Sequence, residues 1–122
     1  MLRKVLVLFI LFLASASVYA GSYEDALKKS DYVFLYFYSE HCSTCKIFDS
    51  IYNSIRNQNK EYAYVKVNAD TPYGTQLIYR LRGRYVPYIV LKNAKTNKSV
   101  NISHTCVMNE ICLLRAMNNF KG

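Results

Sequence analysis

Cys42 and Cys45, separated by Ser43 and Thr44, are the residues of this sequence whose types and spacing are best suited to chemistry. They follow an apolar aromatic run, Tyr32 to Tyr38, and precede a pattern in which Phe48, Ile51, Tyr52 and Ile55 recur at helical spacing. A cysteine at a helix N-terminus lies beside unpaired backbone N–H groups and the positive end of the helix dipole, and both favour the thiolate. A second cysteine three positions on lies within one helical turn and can close a disulfide. The pair can therefore accept or release two electrons by thiol exchange. His41, adjacent to Cys42, could stabilise that thiolate as an imidazolium and make the disulfide more oxidising. The bland alternatives are a permanent disulfide, half of a zinc site and, for His41, a surface residue at the rim.

The elements that must hold this pair can be read along the chain. Tyr23 to Lys29, with Ser22 as N-cap, acids first and lysines last, predicts a short helix. Residues 32–38 lack polar alternation, as expected of a central strand covered on both faces. The helix that starts at Cys42 turns Lys46, Asp49, Ser50 and Asn53 away from its apolar stripe. Tyr62 to Asn68 reads as a strand, Asp70 to Gly74 as a turn and Thr75 to Leu81 as a short helix, interrupted by Gly83. A strand from Val86 to Lys92 starts beside Pro87, a candidate cis residue. Ser99 to Ser103 is its expected antiparallel partner, and Glu110 to Phe120 a closing helix. Alternating helices and strands imply parallel pairing with crossover helices.

Arg3 and Lys4, an apolar core from Val5 to Ala14 and small residues ending at Ala20 read as a cleavable export signal. The expected organisation is thus a signal over 1–20, cleaved after Ala20 or alternatively Ala16, and one domain over 21–122, with no stable membrane insertion after cleavage; secretion, or a tether formed by an uncleaved signal, is the lesser alternative. Residues 21–122 carry 14 of the 16 Lys+Arg and all 8 Asp+Glu, a net charge of +6. Their basic residues are scattered apart from Arg80, Arg82 and Arg84. With export, this argues against a nucleic-acid role. A solvated face is the default, and steering of an acidic partner or contact with an anionic membrane the alternative. Cys106 and Cys112 bring the exported cysteines to an even four, which suits an oxidising compartment. A local structural disulfide is the leading reading for that second pair. A second redox pair, free thiols, or a zinc site built from His41, Cys42, Cys45, His104, Cys106 and Cys112 remain open. The Cys-x5-Cys spacing is unlike common zinc frameworks, so no metal or cofactor is expected.

Taken in order, the apolar strand, the Cys-x-x-Cys, Lys46, the strand bearing Lys66 and Asn68, Asp70, and Val86-Pro87 before a strand resemble the thioredoxin family over the whole of residues 21–122. The resemblance implies an α/β thioredoxin fold, with a central sheet of about four mixed strands flanked by helices and the family's N-terminal strand missing. It implies Cys42 as the attacking thiolate, Cys45 as the resolving thiol, Pro87 as a cis-proline facing them, and Val86 and Tyr85 in the substrate groove. It also places His104, Thr105 and Cys106 in the loop beside the active site. Four departures stand out. Tyr36 occupies the place of a buried acid, although Lys66 is kept, so proton removal from Cys45 falls to Lys66, Glu40, water or substrate. His41 replaces a tryptophan, Ser43-Thr44 matches none of the best-known dipeptides, and the first strand is absent.

The expected function is that of an exported, periplasmic, monomeric thiol–disulfide oxidoreductase acting on protein disulfides or dithiols. Without a large helical insertion or a dimerisation module, it leans to a reductase fed by a membrane electron carrier. A thiol oxidase, a Cys/His metal-binding module and a redox-inert binding domain are the rivals.

Overall fold

The computed structural model of the chain describes residues 21–122, and the expected signal segment 1–20 lies outside the described residues. Its elements are α1 (Ser22–Lys29), β1 (Tyr32–Tyr38), α2 (Ser43–Gln58), β2 (Tyr62–Asn68), α3 (Pro72–Arg80), β3 (Tyr88–Asn93), β4 (Ser99–Asn101), α4 (His104–Val107) and α5 (Glu110–Lys121). An unbroken apolar strand needs cover on both faces. β1 has it, because Val33 to Phe37 are all buried. Its alternate side chains feed two cores. Phe34 and Tyr36 pack with Phe48, Tyr52 and Ile55 of α2 and Leu113 and Met117 of α5. Val33, Leu35 and Phe37 pack on the opposite face with Tyr23 of α1 and Leu77 of α3.

The sheet has the order β2-β1-β3-β4. β1 runs parallel to β2, in register from Tyr32↔Tyr62 to Tyr38↔Asn68, and antiparallel to β3. β3 in turn pairs antiparallel with β4. This is the mixed four-stranded sheet expected, and among the described residues no strand precedes α1.

Several boundaries differ from the sequence reading. Gly21, not Ser22, caps α1, and no side chain closes the cap. The Tyr23 N–H instead donates to the Tyr73 hydroxyl at 3.1 Å, and that hydroxyl donates to Glu24 at 2.7 Å. A Cβ at position 21 would collide with the Tyr73 ring. The expected turn at 70–74 is largely the start of α3. Pro72 occupies the first turn, where its missing N–H leaves nothing unpaired, and the Thr71 hydroxyl accepts from the Gly74 N–H at 3.0 Å.

The end of α3 corrects another expectation. The helix stops at Arg80 instead of Leu81, and the left-handed residue that reverses the chain is Arg82, with φ 63°. The Arg82 N–H donates to the Tyr79 carbonyl at 3.1 Å and the Gly83 N–H to the Ile78 carbonyl at 2.8 Å, the paired closure of a Schellman motif. Gly83 is required for space: a Cβ there would lie 2.5 Å from Ile78 Cγ1 and 2.6 Å from Tyr88 Cδ2. β3 starts at Tyr88 instead of Val86, since Pro87 has no N–H for the ladder; the Val86–Pro87 peptide is cis. β4 ends at Asn101, and α4 is an unexpected single turn between β4 and α5.

Candidate active site

β1 delivers the chain from the sheet to the N-terminus of α2, and Cys42 is the N-cap of that helix. Its sulfur accepts the Cys45 N–H at 3.0 Å, so the reactive atom itself satisfies one of the helix's free donors. The Thr44 hydroxyl lies 3.3 Å from the same sulfur and can donate to it. Cys42 and Cys45 are joined as a disulfide, with their Cα atoms 5.2 Å apart. Cys42 is partly exposed, whereas Cys45 is only 2% exposed, so one sulfur of the pair meets solvent. Opposite Cys42 stands the segment before β3, with the Val86 carbonyl oxygen 3.7 Å from the sulfur. Pro87 beside it is buried.

Beneath the pair, the Tyr36 hydroxyl lies 3.1 Å from the Cys45 carbonyl oxygen and 2.9 Å from Asp49 Oδ1. Burial, and then the hydrogen bond to Asp49, push the Tyr36 phenol far above its ordinary range, so it remains a donor throughout physiological pH. Lys66 Nζ donates to the same Asp49 oxygen at 3.2 Å and lies 4.6 Å from the centre of the Tyr38 ring. Asp49 is the residue that sequence reasoning misses, because it falls among the outward polar positions of α2. Its spacing of four from Cys45 is the available signal, since residues four apart share a helix face. Asp49 of α2 thus joins Tyr36 and Lys66 through one carboxylate oxygen.

The other expected residues fall into two groups. Tyr85, 44% exposed, presents its ring edge-on to Tyr88 at 5.8 Å and to His104 at 5.6 Å, which ties α4 to the segment opposite Cys42. Cys106 is joined to Cys112 across the α4–α5 junction, with Cα atoms 5.2 Å apart. His41, Ser43 and Thr105 are exposed, and Glu40 lies in the exposed turn before α2. Among the described residues no cluster of three or more His, Cys, Asp or Glu could hold a metal ion. The six Cys and His residues considered for zinc are therefore not gathered into one site.

A partly exposed sulfur at a helix N-terminus, bonded to a buried one, is an arrangement for two-electron exchange with another disulfide or dithiol. The Thioredoxin family profile matches residues 14–110, and the chain belongs to the thioredoxin family. With its Cys42–Cys45 disulfide it is a thiol–disulfide oxidoreductase, and proteins of this fold generally act on protein disulfides and dithiols. A single-substitution mutant of thioredoxin from Halobacterium salinarum has 21% identity and a TM-score of 0.70, with 84% of this chain and 87% of that chain covered. Thioredoxin f from spinach chloroplast gives 17% and 0.70, covering 83% and 80%. Oxidised mitochondrial thioredoxin 3 from Saccharomyces cerevisiae gives 16% and 0.67, covering 80% and 86%. No curated protein sequence matches the chain.

Proposed function

We propose that the protein is an exported, monomeric reductase of protein disulfides, with residues 1–20 as a cleaved signal and residues 21–122 as the working domain. The observation that carries the chemistry is the asymmetry of the pair, since only Cys42 can be reached by a substrate sulfur. In the reduced protein the Cys42 thiolate, stabilised by the Cys45 N–H and the Thr44 hydroxyl, attacks one sulfur of a substrate disulfide. A Cys42–substrate disulfide forms and the other substrate sulfur leaves as a thiolate. The Cys45 thiolate then attacks the Cys42 sulfur, closing the Cys42–Cys45 disulfide and releasing the second substrate thiolate. Two electrons pass from protein to substrate, and a membrane electron carrier in the periplasm restores the dithiol. The substrate lies along Tyr85, Val86 and Pro87, with His104 and Thr105 at the far wall. The Cys106–Cys112 disulfide is structural. His41 tunes the Cys42 thiolate, and Ser43 with Thr44 sets the turn.

Insulin reduction tests this directly. Cys42→Ser is expected to abolish turnover, and Cys45→Ser to accumulate a Cys42-linked mixed disulfide visible by mass spectrometry. Undiminished reduction by Cys42→Ser would sink the proposal. A glutathione titration with mass-spectrometric mapping of all four cysteines gives the direction. A disulfide that is already reduced at the mild end of the glutathione titration, and that oxidises substrate dithiols, would make the protein an oxidase.

A further inference from the structure

We infer that the arginine-lined surface from Arg80 to Arg84 is the docking site for an acidic stretch of the substrate polypeptide, next to the cysteine that meets Cys42. The inference rests on the proposed reductase reading and names the substrate class. Three arginines alternate through the end of α3 and the loop behind it. An open cavity of about 600 Å³ is lined by Tyr79, Arg80, Arg82, Gly83 and Arg84. A neighbouring one of about 380 Å³ shares Arg80 and Arg82 and runs along β4 to Ser99 and Asn101, at the edge of the sheet. Neither lining contains a carboxylate. Arg80 reaches Glu24 at 3.4 Å, but among the described residues Arg82 and Arg84 have no acidic partner. Arg82 and Arg84 are exposed, so their charge is available to an external carboxylate.

The surface is also held in place. The two backbone hydrogen bonds that close α3 fix the turn, and Arg82 occupies its left-handed position. Glycine or asparagine would take up that conformation more readily. Gly83 lies against Ile78 and Tyr88 with no room for a Cβ, so the loop is seated on β3.

Continuity with the reactive sulfur gives the surface its role. The Val86 carbonyl lies 3.7 Å from Cys42 Sγ, and Arg84 is two residues before Val86, at most about 7 Å along the chain. Arg82 is no more than about 14 Å away by the same measure. Between them the Tyr85 ring is braced by Tyr88 and His104. An extended substrate whose cysteine meets Cys42 thus brings residues two to four positions away over the arginines. Guanidinium forks suit carboxylates in bidentate geometry. The concavity favours a polypeptide side chain over a flat lipid surface.

The test uses disulfide-linked peptide dimers that differ only in glutamate or glutamine at positions two and four from the cysteine, placed on either side of it. The reduced full-length protein is expected to react about tenfold faster with one glutamate dimer than with its glutamine counterpart at low salt. Most of that preference should vanish near 0.5 M salt. In the double variant Arg82→Asn, Arg84→Gln the glutamate-to-glutamine ratio should fall close to one. Arg84→Glu should reverse the preference towards a lysine-bearing dimer. Equal rates for the wild-type protein, or an unaltered ratio in both variants, would overturn the inference. If no dimer reacts, the reductase reading fails, and binding of a cysteine-free glutamate peptide to the oxidised protein decides the docking claim. Shifts of the 80–85 amide resonances then support it, and their absence refutes it. Arginine-dependent binding to phosphatidylserine vesicles without any peptide preference would also refute it, assigning the patch to a membrane surface.

Discussion

At the scale of residues, the site is built on a few contacts to the Cys42 sulfur and to the Cys45 backbone. Thr44→Val removes the hydroxyl 3.3 Å from Cys42 Sγ and keeps the shape. Since a hydrogen bond to an ionised group contributes about 1.5–3 kcal/mol, the attacking thiolate should form less readily. Stopped-flow reduction of insulin is expected to slow by roughly tenfold near neutral pH, and an unchanged rate would discount the contact. If the Asp49–Lys66 pair, linked to the Cys45 backbone through Tyr36, acts on the resolving thiol, its two charges should shift the second step in opposite directions. Asp49→Asn leaves the Lys66 ammonium unopposed and should move the pH dependence of the resolving step to lower pH. Lys66→Met leaves the carboxylate unopposed and should move it to higher pH. Single-turnover decay of the mixed disulfide from pH 5 to 9 reads both shifts, and parallel displacement of the two variants would refute the assignment. The pair Cys42-Ser43-Thr44-Cys45 is legible from spacing alone. Asp49 is not, because a half-exposed acid on a helix looks like any solvated position until Tyr36 is seen to reach it from the neighbouring strand.

At the scale of elements, the long periodic segments are readable and the punctuation is not. β1, α2 and β2 declare themselves through unbroken apolar runs or a helical stripe, since burial on fixed faces selects their patterns. Pro72, Gly74 and Gly83 mislead because each also occurs in turns, whereas here Pro72 starts a helix and the glycines make room for Asn68, Ile78 and Tyr88. Gly74→Ala would push a methyl group onto the Asn68 backbone carbonyl and should destabilise the fold by about 1–3 kcal/mol in urea titration. Thr71→Ala, which only removes the cap of the same helix, should cost about 1 kcal/mol. Equal effects would show that space at position 74 is not limiting. The Cys106–Cys112 bridge spans only a separation of six, so the double alanine variant should lose about 2 kcal/mol while retaining insulin reduction. Loss of activity in a folded double variant would instead favour a second redox pair.

At the scale of the molecule, tyrosine replaces much of what aliphatic residues ordinarily provide, with twelve among 122 residues. Burial raises Tyr36 and Tyr62 well above the usual phenol range and Tyr52 to about 12. The unfolded chain releases these protons near pH 10 while the folded chain keeps them. It therefore binds fewer protons than the native state, and stability falls as pH rises. Below pH 10 the contribution is fully present. Above it each such group removes about 1.4 kcal/mol per pH unit, so thermal unfolding followed by circular dichroism should fall steeply between pH 10 and 12. A flat melting temperature across that interval would contradict the burial of these phenols. There is also no tryptophan, and Tyr36 stands with Tyr52 and Phe48 at ring separations of 5.0 and 4.8 Å while its hydroxyl touches the Cys45 backbone. With Tyr36 in contact with Cys45, tyrosine emission is expected to rise when the Cys42–Cys45 disulfide is reduced. Titration with a dithiol tests whether this intrinsic ultraviolet signal gauges how many electrons the protein holds without any attached dye, and emission unchanged by reduction would rule that out.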